Sequence, residues 1–355
     1  MSNQKGSILV TGANGGLGSA IVSRIVSVPD LETYHGIFTV RETESATALD
    51  AALGASSSEP GVFQSHEKIS LDLSQLGSVR EVAAAINARV EAGAVPPISA
   101  IILNAGFTEY DTQTWNKDGL DLTFVVNYLA HWLLVLLLLR SMDRERGRIV
   151  WISSWSHNPE HPQNIMNGSF KDDSCKTMIT DALDPLAKGL WSPTASEKPL
   201  WTAAYRRYGA SKMCGVAMIH ELQRRLDQDP VLSKISVLAI DPGGMNTGIV
   251  RHSPWLLRFL VFQVLAGVLG RLLVRLYPNG SWRTPQKSAR DVLAAALDCG
   301  PLPLTEQPKG VYFNGSELGD YNPEAKDPEK GRVIWEGSLR FTQLQGTETI
   351  LRNWQ

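Results

Sequence analysis

The segment that most restricts the fold lies at the start of the chain. Ile8-Leu9-Val10, a short β-branched run, leads into Thr11-Gly-Ala-Asn-Gly-Gly-Leu-Gly18 and then into a helical pattern over about 19–28. This is strand, glycine turn, helix. Glycines at Gly12, Gly16 and Gly18 allow a tight turn and let a pyrophosphate approach the backbone N–H groups at the helix N-terminus, where the dipole favours negative charge. A glycine triplet alone is weak evidence, and its placement between strand and helix strengthens it. Further strands are expected at 37–40, 69–73, 100–103, 148–153, 236–240 and 310–314, with helical segments such as 79–91 and 120–140 between them. Such alternation predicts a doubly wound parallel sheet of the dinucleotide-binding kind, an α/β Rossmann fold.

The 355 residues, 43% hydrophobic and 20% charged, suit one globular domain over 1–355 carrying large insertions. A net charge of −2 and a pI near 6.4 argue against a nucleic-acid partner, which calls for a basic surface. Cys175, Cys214 and Cys299 are odd in number and widely spaced. They fit neither a disulfide framework nor a metal site, and no metal is expected. The run 1–6 leaves no room for a signal peptide, so a cytoplasmic location is expected and the sequons at Asn167, Asn279 and Asn314 read as turn sequences.

Two segments stand apart. Residues 157–204 are rich in Pro, Asn, Ser and Asp and form an insertion over the active site, and 253–285 form an apolar substrate-binding lobe. The leucine run 133–139 reads as a buried helix, since its apolar stretch is short for a membrane span. Within the lobe, 255–276 is apolar but interrupted by arginines. It reads either as a peripheral membrane contact or as the cover of an apolar small-molecule substrate, and its place after the sixth strand favours the cover.

Tyr208 and Lys212, in Tyr-Gly-Ala-Ser-Lys, stand four apart and share one helix face. An ammonium beside a phenol favours the phenolate, which suits acid/base work at Tyr208. Tyr205 has Gly209 four residues on and therefore no lysine partner. Ser154 closes the fifth strand, where its hydroxyl can donate to a carbonyl oxygen that gains charge. Asn127 is polar in an apolar helix, either a satisfied structural amide or the holder of a proton-relay water. At the end of the second strand, neutral Val40 is followed by Arg41. A guanidinium there can pair with a 2′-phosphate, favouring NADP(H) over NAD(H), although Glu42 and Glu44 nearby also allow Arg41 to be an ordinary solvated residue.

Taken together, the chain resembles the short-chain dehydrogenase/reductase superfamily. The resemblance rests on Thr11–Gly18 (with Asn14 and Leu17 inside it), Asp72-Leu73, Asn104-Ala105-Gly106, Asn127, Ser154, Tyr208–Lys212, Pro242-Gly243 and Thr247, in family order over most of 7–250. It implies a catalytic tetrad of Asn127, Ser154, Tyr208 and Lys212, with Lys212 also bonding the nicotinamide ribose. Asp72 and Leu73 would lie near the adenine, Asn104, Ala105 and Gly106 beside the cofactor, and Pro242, Gly243 and Thr247 against the nicotinamide. Val-Asn-x-Leu-x-His around Asn127 and Ser-Ser-x-x-His ending at His157 are most similar to the retinol-dehydrogenase-like group, which prefers NADP(H) and apolar substrates. The phrase Tyr-Arg-Arg-Tyr-Gly-Ala-Ser-Lys and the long insertion are similar to fungal members of secondary-metabolite pathways. A homodimer is common in the family. The chain departs from it in the roughly fifty residues between Ser154 and Tyr208 and in Ala130, where relatives often have glycine.

The activity this implies is interconversion of a ketone or aldehyde and an alcohol on a bulky apolar molecule. Two alternatives are a non-redox isomerase or dehydratase using the same acid/base pair, and a catalytically silent cofactor-binding sensor or scaffold.

Overall fold

The computed structural model describes residues 4–54, 65–196, 199–245, 274–297 and 307–355. Its frame is an eight-stranded sheet in the order β3-β2-β1-β4-β5-β6-β7-β8. The strands are β1 (Gly6–Val10), β2 (Tyr34–Val40), β3 (His66–Ser70), β4 (Ile98–Leu103), β5 (Arg148–Ile152), β6 (Ser236–Asp241), β7 (Val311–Asn314) and β8 (Glu317–Leu318). The first seven pair in parallel, and β8 returns antiparallel on β7. Every residue of β1, β4, β5 and β6 is buried, as expected of strands covered on both faces. Strand order reverses direction between β1 and β4, the switch point at which open α/β sheets bind ligands.

The helices are α1 (Gly16–Ser27), α2 (Thr47–Gly54), α3 (Leu76–Glu91), α4 (Leu122–Phe124), α5 (Ala130–Leu138), α6 (Pro162–Asn167), α7 (Asp184–Ala187), α8 (Leu200–Asp227), α9 (Pro285–Leu297) and α10 (Pro328–Thr342). One core lies on the α3, α5, α8 and α10 side and includes Trp132, Trp151 and Trp335; the other lies under α1 and α9. Of the cysteines, Cys214 is buried, Cys175 is partly exposed and both are free. Among the described residues no group of three or more His, Cys, Asp or Glu is placed to hold a metal ion.

Two local differences from the sequence expectations carry information. The third strand ends at Ser70, so Asp72 and Leu73 fall in the turn beyond it, at the cleft, and not within the strand. The helix expected over 120–140 is broken by a π turn over Val125–Leu129 that contains Asn127. Its full helical length, Leu122–Ser141, would suffice to cross a membrane, but 94% of its apolar window is buried inside the protein, as the leucine run anticipates. Most of 253–285 and Thr247 lie outside the described residues, whereas Trp282, from the end of that lobe, does line the cleft.

Helix α8 lies closer to β5 than ordinary side chains allow. A Cβ on Gly209 would meet the Ser156 carbonyl oxygen, and one on Gly215 would meet the Trp151 indole. Both glycines remove bulk where the helix crosses the strand end. Gly215→Ala overpacks this contact and should cost about 1–3 kcal/mol, read as a lower urea midpoint than wild type. An unchanged midpoint would show that the helix has room to move.

Candidate active site

A cleft of about 1180 Å³ runs along the C-terminal edge of the parallel strands. Drug-sized ligands usually occupy pockets of roughly 300–1,000 Å³, so a dinucleotide and a second molecule can lie here together. One end is built from Gly12, Gly16, Leu17, Gly18, Arg41, Asp72 and Leu73, the middle from Asn104–Gly106, Ser154, Tyr208 and Lys212, and the other end from Trp155, Trp201, Tyr205 and Trp282.

The glycine turn fits a dinucleotide phosphate. Gly12 has φ +64°, and a Cβ there would crowd the Ala105 backbone; a Cβ on Gly18 would meet the Gly12 carbonyl oxygen. The turn is therefore closed tightly against the end of β4. Gly15 precedes α1 without any capping side chain, leaving the first-turn N–H groups available to an anion. Asn14 lines the cleft, but its side chain also braces the neighbouring segment: Oδ1 accepts from the Ala48 and Leu49 N–H groups at 2.9 and 3.1 Å. That ties the turn to α2 and to the loop carrying Arg41. Arg41 is exposed at the cleft rim, and the Glu42 carboxylate beside it accepts from the Ser45 hydroxyl.

Thr11 is buried, and its hydroxyl accepts from the N–H groups of Asn104 (2.9 Å) and Ala105 (3.0 Å). Its own proton then goes to His131 Nε2 at 3.0 Å, which leaves His131 Nδ1–H facing the Asn127 carbonyl oxygen at 3.4 Å. Burial, with the Lys212 charge adding to it, lowers the His131 pKa to about 3, so the imidazole is neutral as this arrangement requires.

Asn127 uses its amide structurally. Oδ1 accepts from Phe107 N–H at 2.7 Å, and Nδ2 donates to the Phe107 carbonyl at 2.8 Å and to Ser211 Oγ at 3.0 Å. The side chain thus clamps the loop after β4, the arrangement that the structural-amide reading expects.

Ser154 stands near enough to the Tyr208 phenol to favour its charged form, and Ser154 Oγ accepts from Ser156 N–H at 3.3 Å. His157 holds the Ser154 backbone: Asn322 N–H donates to its Nε2 at 3.4 Å, and its Nδ1–H donates to the Ser154 carbonyl at 2.5 Å. Lys212 is 3% exposed, donates from Nζ to the Ile152 carbonyl at 2.9 Å and lies 5.6 Å from the centre of the Tyr208 ring. Burial lowers its pKa to about 8, partly offset by the nearby Asp241 carboxylate. Tyr208 does not show the depression that its spacing from Lys212 suggests. Burial, together with Tyr205 and Asp241, pushes its phenol up, outweighing the opposing effect of Ser154.

Asp241 was not anticipated from sequence. It closes β6 immediately before Pro242, is buried, and accepts from Gly243 N–H at 2.7 Å. Burial raises its pKa, with Arg283 opposing most strongly. The strand-end rule that singles out Ser154 applies equally to Asp241 and is the signal that could have found it. Phe107, Trp155 and Met245, also unanticipated, line the same cleft, as do Pro242 and Gly243. Tyr205, the tyrosine without a lysine, donates to Asn164 Oδ1 at 2.7 Å and forms part of the wall.

Known proteins place this arrangement. The family model described as short chain dehydrogenase matches residues 7–171. The short-chain dehydrogenase iccH of Talaromyces variabilis is 45% identical over 99% of this chain and 100% of its own length. The human WW domain-containing oxidoreductase is 29% identical over 95% of this chain and 68% of its own. Among solved structures, the angucycline C-6 ketoreductase LanV with bound NADP aligns with a TM-score of 0.56 at 17% identity, covering 90% of this chain and 96% of that one. The NADPH-bound carbonyl reductase from chicken fatty liver gives 0.55 at 16% identity, covering 90% and 100%. At those identities the two structures speak for the fold alone, while the near full-length match at 45% carries the assignment: this chain belongs to the short-chain dehydrogenase/reductase family of oxidoreductases.

Proposed function

We propose that this enzyme is an NADP(H)-dependent reductase of a bulky, apolar ketone or aldehyde, working reversibly on the corresponding alcohol. The observation that carries the reading is the meeting of Ser154, Tyr208 and Lys212 midway along one cleft, between the glycine turn and an aromatic-lined end. Bound along the glycine turn, the nicotinamide cofactor supplies the hydride.

The protein's residues do the rest. Ser154 Oγ–H and Tyr208 Oη–H converge on a carbonyl oxygen and stabilise the charge it gains. Tyr208, held protonated by its burial, then gives up its proton to that oxygen, which is the state reduction requires. Lys212 balances the phenolate left behind and, by the family resemblance, holds the nicotinamide ribose. Asn127 positions the Phe107 loop. The aromatic end, with Trp155, Trp201 and Trp282, suits an apolar substrate body. The kinship with a fungal short-chain dehydrogenase supports a role in secondary metabolism. Preference for NADP(H) rests on Arg41 at the cleft rim after neutral Val40, and the two NADP-holding structural neighbours are consistent with it.

Three outcomes follow. Tyr208→Phe should lower kcat by roughly 10²–10⁴-fold while NADPH binding, followed by fluorescence titration, stays at the wild-type value; retained turnover would remove Tyr208 from the chemistry. Arg41→Ala should weaken NADPH binding by about tenfold, the loss of a charge-assisted pair, and leave NADH binding unchanged. Equal losses for both cofactors would refute the 2′-phosphate contact.

The third outcome is a pH dependence. The Lys212 ammonium prevails below pH of about 8 and is lost above it. Activity that needs this charge should therefore fall as pH rises through that value. In Lys212→Arg the residual activity should lose this alkaline limb, because guanidinium stays charged throughout the range. A limb that persists unchanged in the arginine variant would assign it to another group.

A further inference from the structure

Two residues of the Tyr205-Arg206-Arg207-Tyr208 run take no part in the chemistry above, yet both are buried. Arg207 Nη1 donates to the Ser192 carbonyl at 2.9 Å and to Thr194 Oγ1 at 2.8 Å, and Nη2 donates to the Thr112 carbonyl at 3.2 Å. Its charge is matched by Asp121, 3.0 Å from Nε, and by Glu109, 3.6 Å from Nη2. Arg206 Nε donates to the Ser169 carbonyl. One turn of α8, directly before Tyr208, therefore grips the 157–204 insertion at two separate places. Gln113 adds a third tie, donating to Gly189 O at 3.0 Å and accepting from Thr194 N–H at 3.1 Å.

Burying a guanidinium with two carboxylates is expensive, and a pair of apolar residues would often serve stability as well. What the arginines secure is placement. The gripped insertion contributes Gln163, Met166 and Asn167 to the cleft wall, which Trp201 completes from the first turn of α8. Trp201 meets Tyr205 edge to face at 6.2 Å, and Met166, 75% exposed, sits at the rim with an unbranched apolar side chain open to the cleft.

We propose that Arg206 and Arg207 are positioning residues that hold the insertion as a fixed specificity wall, so that the enzyme selects carbonyl compounds whose apolar body reaches from Tyr208 to Trp201 and Met166. The proposal rests on the bulky-substrate reading above, and its test separates the two. Lysine at either position keeps the charge but loses the planar fork that reaches several carbonyls at once.

The full-length protein, loaded with NADP⁺, is titrated with 2-acetonaphthone and with butanone, and kcat/KM for both is measured with NADPH. The variants are Arg207→Lys, Arg206→Lys and the double wall variant Met166→Ala with Trp201→Ala; hydrogen exchange is followed over 162–194. Arg207→Lys should weaken 2-acetonaphthone binding about tenfold, through KM more than kcat, the loss expected when charge-assisted bonds are broken. NADP⁺ affinity and butanone turnover should remain at wild-type values, and faster exchange should be confined to 162–194. The wall variant should lose the same selectivity without faster exchange.

The proposal is overturned if wild type does not bind 2-acetonaphthone in preference to butanone, or if the wall variant keeps that preference. It is also overturned if Arg207→Lys leaves both exchange and preference unchanged. Should Arg207→Lys unfold, the wall variant and Arg206→Lys decide. Because binding needs no turnover, a protein that binds the naphthyl ketone yet oxidises no NADPH contradicts the proposed function and not the wall.

Discussion

The contact on which the site depends is the close crossing of α8 over the end of β5. Gly209 and Gly215 strip the helix of side chains at the two places where it meets the Ser156 carbonyl and the Trp151 indole. Only at that separation does Lys212 Nζ reach the Ile152 carbonyl at 2.9 Å and the Tyr208 phenol come near Ser154 in the same cleft. The strand brings the serine, the helix brings the tyrosine and lysine, and a small-residue seam sets the distance between them. Cores are packed too densely for that distance to be adjusted by side chains moving aside.

Around this seam the protein buries ionisable groups and thereby selects their protonation states. His131 and His157, driven down to about 3 and about 4, are neutral, and each uses Nδ1–H to hold a backbone carbonyl of the site, that of Asn127 and of Ser154 respectively. Tyr208 is held protonated, and Lys212 is poised near pH 8. The Thr11 hydroxyl joins these features to the glycine turn, since it accepts from the β4 end and bonds His131. Cofactor turn, π turn and strand end are therefore linked by direct hydrogen bonds.

The sequence made the fold and the central residues legible because both repeat local rules. A strand, a glycine turn and a helix are contiguous, and Tyr208 and Lys212 are one helical turn apart. Roles that depend on distant partners were not legible. The spacing of Tyr208 and Lys212 suggests a depressed phenol, whereas the opposite shift arises from burial and from Tyr205 and Asp241, of which Asp241 comes from another strand. That the Asn127 amide braces Phe107 and Ser211 depends on partners 20 and 84 residues away, which the sequence does not show. The end of β3 is not legible because the apolar alternation of Ile69, Leu71 and Leu73 runs on past Ser70, where the strand stops, into buried turn residues. The burial of Arg206 and Arg207 depends on partners in two distant segments, Thr112 and Asp121 before α5 and Ser169, Ser192 and Thr194 in the insertion.

The central claim is that this cleft moves hydride to a carbonyl carbon while Tyr208 supplies the proton. Its most direct measurement uses NADPH deuterated at nicotinamide C4, on the face from which transfer occurs, with the carbonyl compound that the enzyme reduces fastest, followed by mass and proton spectra of the product. The account predicts one deuterium on the new carbinol carbon for each NADPH oxidised. Product formed without deuterium at that carbon, or without NADPH oxidation, would contradict it and place the same acid/base pair in an isomerase or dehydratase.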